Sequence, residues 1–239
     1  MSIDLIGVSH SRPAKRGKRI ELRDIHMHIE EQQRVAILGK AGGGLDELLN
    51  IICGAVTPAR GNVVLTSEIS WPIGETGFLL SDASLVTNLR FIARIYEIDE
   101  NEYVKRMTEV GEIENAWNET FGSCDKNVKW RFAFALGVCL PFDIYIFEST
   151  EGPDKDYREK SQAIVDRLGQ DYGIVVATGK GDEARQFCDR AFVLDEGKVT
   201  YYEDIEAAIA HLEQIKESAV IEFEEADGQD ESDSEFDTM

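Results

Sequence analysis

Residues able to do chemistry crowd into one short stretch, Gly39-Lys40-Ala41-Gly42-Gly43-Gly44-Leu45-Asp46-Glu47. It lies between an apolar strand pattern, Val35-Ala36-Ile37-Leu38, and a helix pattern over 45–55. Strand, glycine loop and helix N-terminus in that order cradle phosphate, because glycines let backbone N–H groups converge on an anion at the positive end of a helix. The Walker A pattern G-x-x-x-x-G-K-[ST] adds a lysine and a hydroxyl directly after its last glycine. Here Leu45 and Asp46 hold those places. Leu45 cannot neutralise a phosphate, and Asp46 sets a carboxylate where a hydroxyl would ligate magnesium. Two like charges about 4 Å apart at an effective dielectric near ~20 repel by roughly 4 kcal/mol, about the whole free energy of a millimolar complex. The loop keeps its shape-giving residues and has lost its charge-giving ones, so ordinary ATP binding is not expected.

The other reactive side chains stand apart. Cys53, Cys124, Cys139 and Cys188 fall singly in apolar or helical surroundings without C-x-x-C spacing, which suits buried thiols better than a metal site or disulfides. His10, His26, His28 and His211 form no ligand cluster, and His26 and His28 alternate on a strand pattern that turns both to solvent. No metal site is expected.

The glycine loop is positioned by the strands around it. Residues 2–8 and 20–29 read as strands, the second setting Ile20, Leu22, Ile25, Met27 and Ile29 among polar neighbours. Residues 34–38 feed the loop, the stretch from Gly54 to Gly61 with Pro58 breaks the chain after the loop helix, and 62–66 resumes as a strand. Residues 70–80 read as a turn-rich connector, and from Thr87 to about Leu140 the pattern is helical. Leu89, Ile92, Ala93 and Tyr96 share one helical face, as do Phe132, Ala135, Leu136 and Cys139; such stripes usually line a core. Ile144-Tyr145-Ile146-Phe147 then reads as a buried strand. A helix over 155–168, a strand over 174–178, a helix over 181–188, a hairpin over 191–202 around Glu196-Gly197 and a helix over 204–216 complete the body. This order describes an α/β domain with a helical subdomain at about 87–140.

With 239 residues, 43% hydrophobic and 30% charged, the chain suits one large domain with a sizeable core. No apolar run of about 18 residues appears, and residues 1–8 lack a charged segment followed by an apolar one, which reads as a cytoplasmic protein. From Glu222 onward nine acidic residues occur without Lys or Arg, so that stretch carries -9 of the net -21; such a composition predicts a disordered solvating or interaction segment as the tail over 217–239. Arg12, Lys15, Arg16, Lys18 and Arg19 form a local basic cluster, yet the acidic field as a whole disfavours nucleic acid as a partner.

The order of elements, with several local strings, resembles the ATP-binding subunits of ABC transporters, in the branch that exports capsular and O-antigen polysaccharides. The resemblance covers about residues 2–216. It rests on the glycine loop with Pro58-x-x-Gly61 behind it, on Ser70-Trp71-Pro72-Ile73-Gly74, and on Asn88-Leu89-Arg90-Phe91-Ile92-Ala93-Arg94-Ile95-Tyr96. Further support comes from Arg131-Phe132-Ala133-Phe134-Ala135-Leu136, Phe142-Asp143-x-Tyr145, Tyr157-Arg158-Glu159-Lys160 and Phe187-Cys188-Asp189-Arg190 leading into the Glu196-Gly197 hairpin. It implies a P-loop NTPase-like nucleotide-binding domain over 1–216, with an antiparallel β subdomain and a helical subdomain.

Carried over residue by residue, the resemblance implies losses. The adenine-stacking aromatic falls near Arg12, the loop lysine and serine on Leu45 and Asp46, and the glutamine that joins magnesium to the membrane partner on Leu80. The signature loop that clamps phosphate across a dimer becomes Cys124-Asp125-Lys126-Asn127-Val128, with Asp125 in place of its serine. The magnesium aspartate becomes Glu148, the water-activating glutamate Ser149, and the switch histidine Gly179. Only Asp154, in the region of the D-loop, and Glu148 are tolerable replacements. Hydrolysis on this fold needs a charge clamp, a metal and a base together; a single loss could be compensated, for instance by Lys40 or Lys126 reaching the phosphate.

The resemblance and its departures together imply a degenerate subunit, a pseudo-ATPase with no cofactor, acting by protein contacts in or around a polysaccharide-export complex. Its partners would be a membrane subunit or an intact ATP-binding subunit, and it would reach the inner face of the cell membrane only through them. Residues 70–96 would dock the membrane subunit, with Trp71, Arg90 and Arg94 as contact candidates; Trp71, Phe91 and Tyr96 read equally well as core. The alternative is an ATP-binding subunit that retains weak binding or hydrolysis of ATP with magnesium, alone or within a heterodimer. A third reading is a structural homodimer without a transporter.

Overall fold

The computed structural model describes residues 2–13, 19–148, 150, 152 and 155–232. In chain order the strands are β1 (Ser2–Pro13), β2 (Arg19–Glu30), β3 (Arg34–Gly39), β4 (Arg60–Leu65), β5 (Ile69–Ile73), β6 (Ile144–Phe147), β7 (Gly173–Thr178), β8 (Arg190–Asp195) and β9 (Lys198–Tyr202). The helices are α1 (Leu45–Ile52), α2 (Leu85–Ile95), α3 (Glu100–Gly111), α4 (Lys126–Val138), α5 (Arg158–Asp171), α6 (Gly181–Phe187) and α7 (Ile205–Ser232).

Alternation decides the layering. β3 is the hinge between two cores: Val35 and Ile37 point into one, Ala36 and Leu38 into the other. The first core lies between the six-stranded sheet, α1, and a smaller antiparallel sheet of order β2-β1-β4 that contributes Ile3, Leu5, Val8, Leu22, Ile25 and Met27. The second core lies under the helices α2 to α7. The large sheet has the order β5-β6-β7-β3-β8-β9; β5, β6, β7, β3 and β8 run parallel and β9 returns antiparallel. Burial on both faces explains the unbroken apolar runs of β3, β6 and β7. In such sheets the carboxyl ends of the strands are where ligands sit, and β3, β6 and β7 all end on the glycine-loop side.

The expected α/β fold with antiparallel and helical subdomains is the observed one. Three details differ. Residues 70–73, expected as part of a turn-rich connector, belong with Ile69 to β5, whose Ser70 hydroxyl accepts from Ile146 N at 2.8 Å. Pro72 is tolerated there because β5 is an edge strand. The first strand reaches Pro13, carried by pairing with β2 as far as Pro13↔Arg19. Finally, α7 continues past 216 to Ser232. The segment Glu217-Ser218-Ala219-Val220-Ile221-Glu222 holds strong helix formers and no Gly or Pro, so the helical backbone runs on into the acidic stretch. Residues 233–239 lie outside the described part.

Candidate functional site

The glycine loop sits at the end of β3 as the sequence requires. Gly42 and Gly44 have φ of 73° and 100°, the left-handed region that favours glycine. A side chain on Gly44 would also meet Ile20 of β2 at 3.0 Å. Leu48 N bonds Gly44 O at 2.9 Å, starting α1 directly behind the loop, and Gly44 itself gives α1 no side-chain cap. The strand, glycine loop and helix N-terminus therefore follow one another as the sequence requires, with Gly43 N bonded to Lys40 O at 3.0 Å inside the loop.

Its side chains lead elsewhere. Leu45 packs against the core between the sheets. Asp46 is exposed and lines a cavity of about 550 Å³ together with Lys40, Glu148, Gly179, Lys180 and Lys216. Burial raises the pKa of the Glu148 carboxyl above its ordinary 4.5, and the neighbouring Asp46 and Glu75 carboxylates raise it further. Gly179 stands against the β3 backbone, where an added Cβ would lie 3.1 Å from Gly39 O. Behind the cavity Glu183 is buried, accepting from Thr150 N at 2.6 Å, Thr150 Oγ1 at 2.8 Å and Thr178 Oγ1 at 2.7 Å. This knot joins the ends of β6 and β7 through α6.

The structure thus brings Gly39, Lys40, Gly42, Leu45, Asp46, Glu148 and Gly179 to one cavity, with Gly43 on the wall of the adjoining depression and Gly44 between loop and helix. It does not bring Leu80 or the signature-like residues there within one chain. Asp125 caps α4: its Oδ1 accepts from Asn127 N at 2.7 Å and Val128 N at 3.0 Å. A carboxylate committed to two backbone donors at a helix N-terminus has a structural role of its own. Lys126 and Asn127 form the first turn of that helix. Ser149 and Asp154 lie outside the described residues, as do positions 14–18, which carry Lys15, Arg16 and Lys18 of the basic cluster.

Leu80 is 59% exposed, as are the apolar side chains of Phe78, Phe91, Ile95 and Tyr96 to at least 36%, and the rings of Phe78 and Tyr96 lie 5.1 and 6.1 Å from that of Trp71. Trp71 is half-buried, edge-on to Phe78 at 5.1 Å and to Phe142 at 5.7 Å, so it is a floor for those rings more than a contact point. Arg90 pairs with Glu100 of α3. Arg94 is exposed in the last turn of α2 and has no ion pair among the described residues.

Sequence reasoning missed several site residues. Asn88, 3% exposed, ties down the turn before α2: it accepts from Leu80 N at 2.8 Å and donates to Leu80 O at 3.1 Å. Glu183 gave a signal only as an acidic residue one turn after an apolar strand. Lys216 gave none, since its place at the cavity depends on how α7 packs. Cys124, Cys139 and Cys188 are buried free thiols, Cys53 is half-buried, and no group of metal-ligating side chains exists among the described residues. His26 and His28 are exposed and each lies against an aspartate, Asp24 and Asp4 respectively.

A glycine cradle at the end of a central parallel strand, a small antiparallel sheet on one side and a helical subdomain on the other define a P-loop domain of the nucleotide-binding-cassette type. The family model described as ABC transporter matches residues 22–171, more than half of the chain, and the chain belongs to that family. It is 30% identical over 210 residues to the capsule polysaccharide export ATP-binding protein CtrD of Neisseria meningitidis serogroup B, spanning 87% of this chain and 97% of that protein. It is 27% identical to the ATP-binding protein BexA of Haemophilus influenzae, over 84% and 93% of the two chains. The polysialic acid transport ATP-binding protein KpsT of Escherichia coli is also 27% identical, over 81% and 90%. Among solved structures, an ATP-binding subunit of an ABC transporter superposes with a TM-score of 0.75 at 18% identity, over 89% and 99% of the two chains. A dimeric bacterial ABC transporter cassette gives 0.73 at 19%, over 85% and 98%. No helix among the described residues is long and apolar enough to cross a membrane.

Proposed function

We propose that this chain is a subunit of a polysaccharide-export ABC complex that works through protein contacts in place of ATP hydrolysis. The observation that carries this reading is the pair of residues after Gly44. Leu45 is turned into the core, and Asp46 faces Glu148 across the cavity where a phosphate would lie. The donor set does not fit magnesium-bound ATP. The loop has no cation in the lysine position, the cavity lining adds the carboxylates of Asp46, Glu148 and the buried Glu183, and bringing phosphate near the first two costs roughly 4 kcal/mol per close like-charge contact. Gly179 offers no side chain to the site, and Asp125 spends its oxygen on its own helix.

The contact surface would be the apolar area around Trp71, Phe78, Leu80, Phe91 and Ile95, rimmed by Arg90 and Arg94. Exposed apolar patches with a polar rim mark interaction sites, and the partner would be the membrane subunit of the exporter. Such docking would place the chain at the inner face of the membrane without any span of its own.

A second reading has its own support. The relatives named above are ATP-binding proteins, and Lys40, Lys180 and Lys216 line the same cavity; these cations would hold ATP weakly, with a partner subunit completing the chemistry. Titration calorimetry of the purified chain with ATP and magnesium separates the two. The contact reading expects no heat at millimolar ATP, and micromolar binding overturns it in favour of the second.

A further inference from the structure

Glu47 is a buried carboxylate that the proposed function leaves unused. It lies in the first turn of α1 beside Asp46, with its side chain only 3% exposed. Both oxygens meet basic side chains of β1: Oε1 lies 3.1 Å from His10 Nε2, and Oε2 accepts from Arg12 Nε. Taking a carboxylate out of water costs several kcal/mol unless a partner compensates it. Here the compensation comes from a different sheet. α1 belongs to the phosphate-loop side, whereas β1 belongs to the antiparallel sheet, so the ion pair spans the gap between the two layers. The same gap is closed apolarly one turn earlier, where Ile20 and Leu22 of β2 stand 3.0 and 3.5 Å from the place a Gly44 side chain would take.

We propose that the Arg12–Glu47 pair, seconded by His10, is a built-in tether. It fastens the antiparallel sheet to the phosphate-loop helix without any ligand, so the loop is held in one arrangement at all times. Arg12 and Glu47 are positioning residues in this role: each acts on the loop through the other. The tether rests on the reading above that no nucleotide bridges the loop and the sheet. It also implies that restoring the loop's lysine and serine would not free the site, because the sheet stays pinned against α1.

The test is amide hydrogen exchange followed by mass spectrometry on the full chain without nucleotide, in the wild type, Arg12→Ala, Glu47→Gln and the double variant. A tether predicts that each single change raises exchange in β1 and α1 by about tenfold and leaves β7 unchanged. It also predicts that the double variant exchanges no faster than the worse single one, since both remove the same interaction. Unchanged exchange in β1 and α1, or single effects that multiply in the double variant, overturns the tether. Should Glu47→Gln fail to fold, Arg12→Ala decides alone, because its side chain is 45% exposed and its removal leaves no cavity. Calorimetry with ATP on the same wild-type sample reports on the contact reading separately, so the failure of one is not confused with the failure of the other.

Discussion

Burial raises the pKa of the Glu148 carboxyl, and the Asp46 carboxylate facing the same cavity raises it further. One comes from the end of β6 and the other from the first turn of α1, two places where a nucleotide site would use groups that attract phosphate and metal. An acid whose folded pKa exceeds its unfolded value binds its proton better when folded. Its penalty on stability is therefore absent at low pH and grows as pH rises from the ordinary 4.5 through the raised value.

Glu148→Gln removes that penalty. The melting temperature of the variant should exceed the wild type's by about 1–2 °C near pH 7 and match it near pH 4. Thermal unfolding at the two pH values checks this. A variant equally stable or less stable near neutrality would mean that Glu148 holds a compensating cation contact there.

Restoring the loop should not restore activity. The variant Leu45→Lys, Asp46→Ser, Ser149→Glu should turn over ATP at no more than about 1% of the rate of an intact family member assayed beside it, since the clamp, metal and base must all be in place together. Leu80, Asp125 and Gly179 remain unaltered in it, and a histidine at 179 would press on Gly39 O, 3.1 Å from the added Cβ. Phosphate release is the readout. Robust turnover would show that the remaining departures are inconsequential.

The apolar surface should matter to a partner and little to the fold. Phe91 and Ile95, 54% and 56% exposed one turn apart on α2, can each be replaced by aspartate with a change in melting temperature of about 1–2 °C or less. The same substitutions should abolish copurification with the exporter's membrane subunit. Undiminished copurification would move the docking site elsewhere.

Much of this architecture could be read from the chain because its signals are local. The glycine loop, the two-sided burial of β3, β6 and β7, and the helical stripe through Leu89, Ile92 and Ala93 each follow from residues close together in sequence. What escaped were relationships closed by distant parts of the chain. β5 looked like a connector because Pro72 and Gly74 punctuate it, and only its edge position beside β6 makes a strand there workable. Asp125 read as an acid aimed at phosphate; its true partners, Asn127 N and Val128 N, were local, but the N-cap signal was masked by reading it in the register of a ligand loop. The Glu47 pairing with β1 and the place of Lys216 at the cavity depend on how whole layers pack, which no short window records.

The cap itself is measurable. Asp125→Ala deprives α4 of both side-chain bonds and should cost about 1 kcal/mol, lowering the melting temperature by about 2–4 °C. Asp125→Ser keeps an acceptor at the N-cap and should recover most of the loss. If serine behaves like alanine, the cap is not what Asp125 contributes.

Glu183 is the common acceptor between the ends of β6 and β7. Its carboxylate receives one backbone and two hydroxyl donors, and 4% of the residue is exposed, so no water replaces it easily. Glu183→Ala strands Thr150 N and both hydroxyls, and a buried donor left unmade costs about 1–3 kcal/mol. The melting temperature should fall by about 5–10 °C, with the loss concentrated in the ends of β6 and β7 as faster amide exchange. Glu183→Gln keeps one acceptor oxygen and should lose roughly half as much. Because these ends form the wall of the cavity that Glu148 and Gly179 share, any residual nucleotide binding should weaken in the alanine variant in step with exchange. Binding that survives loosening of both strand ends would have to be carried by Lys40, Lys216 and the glycine-loop amides.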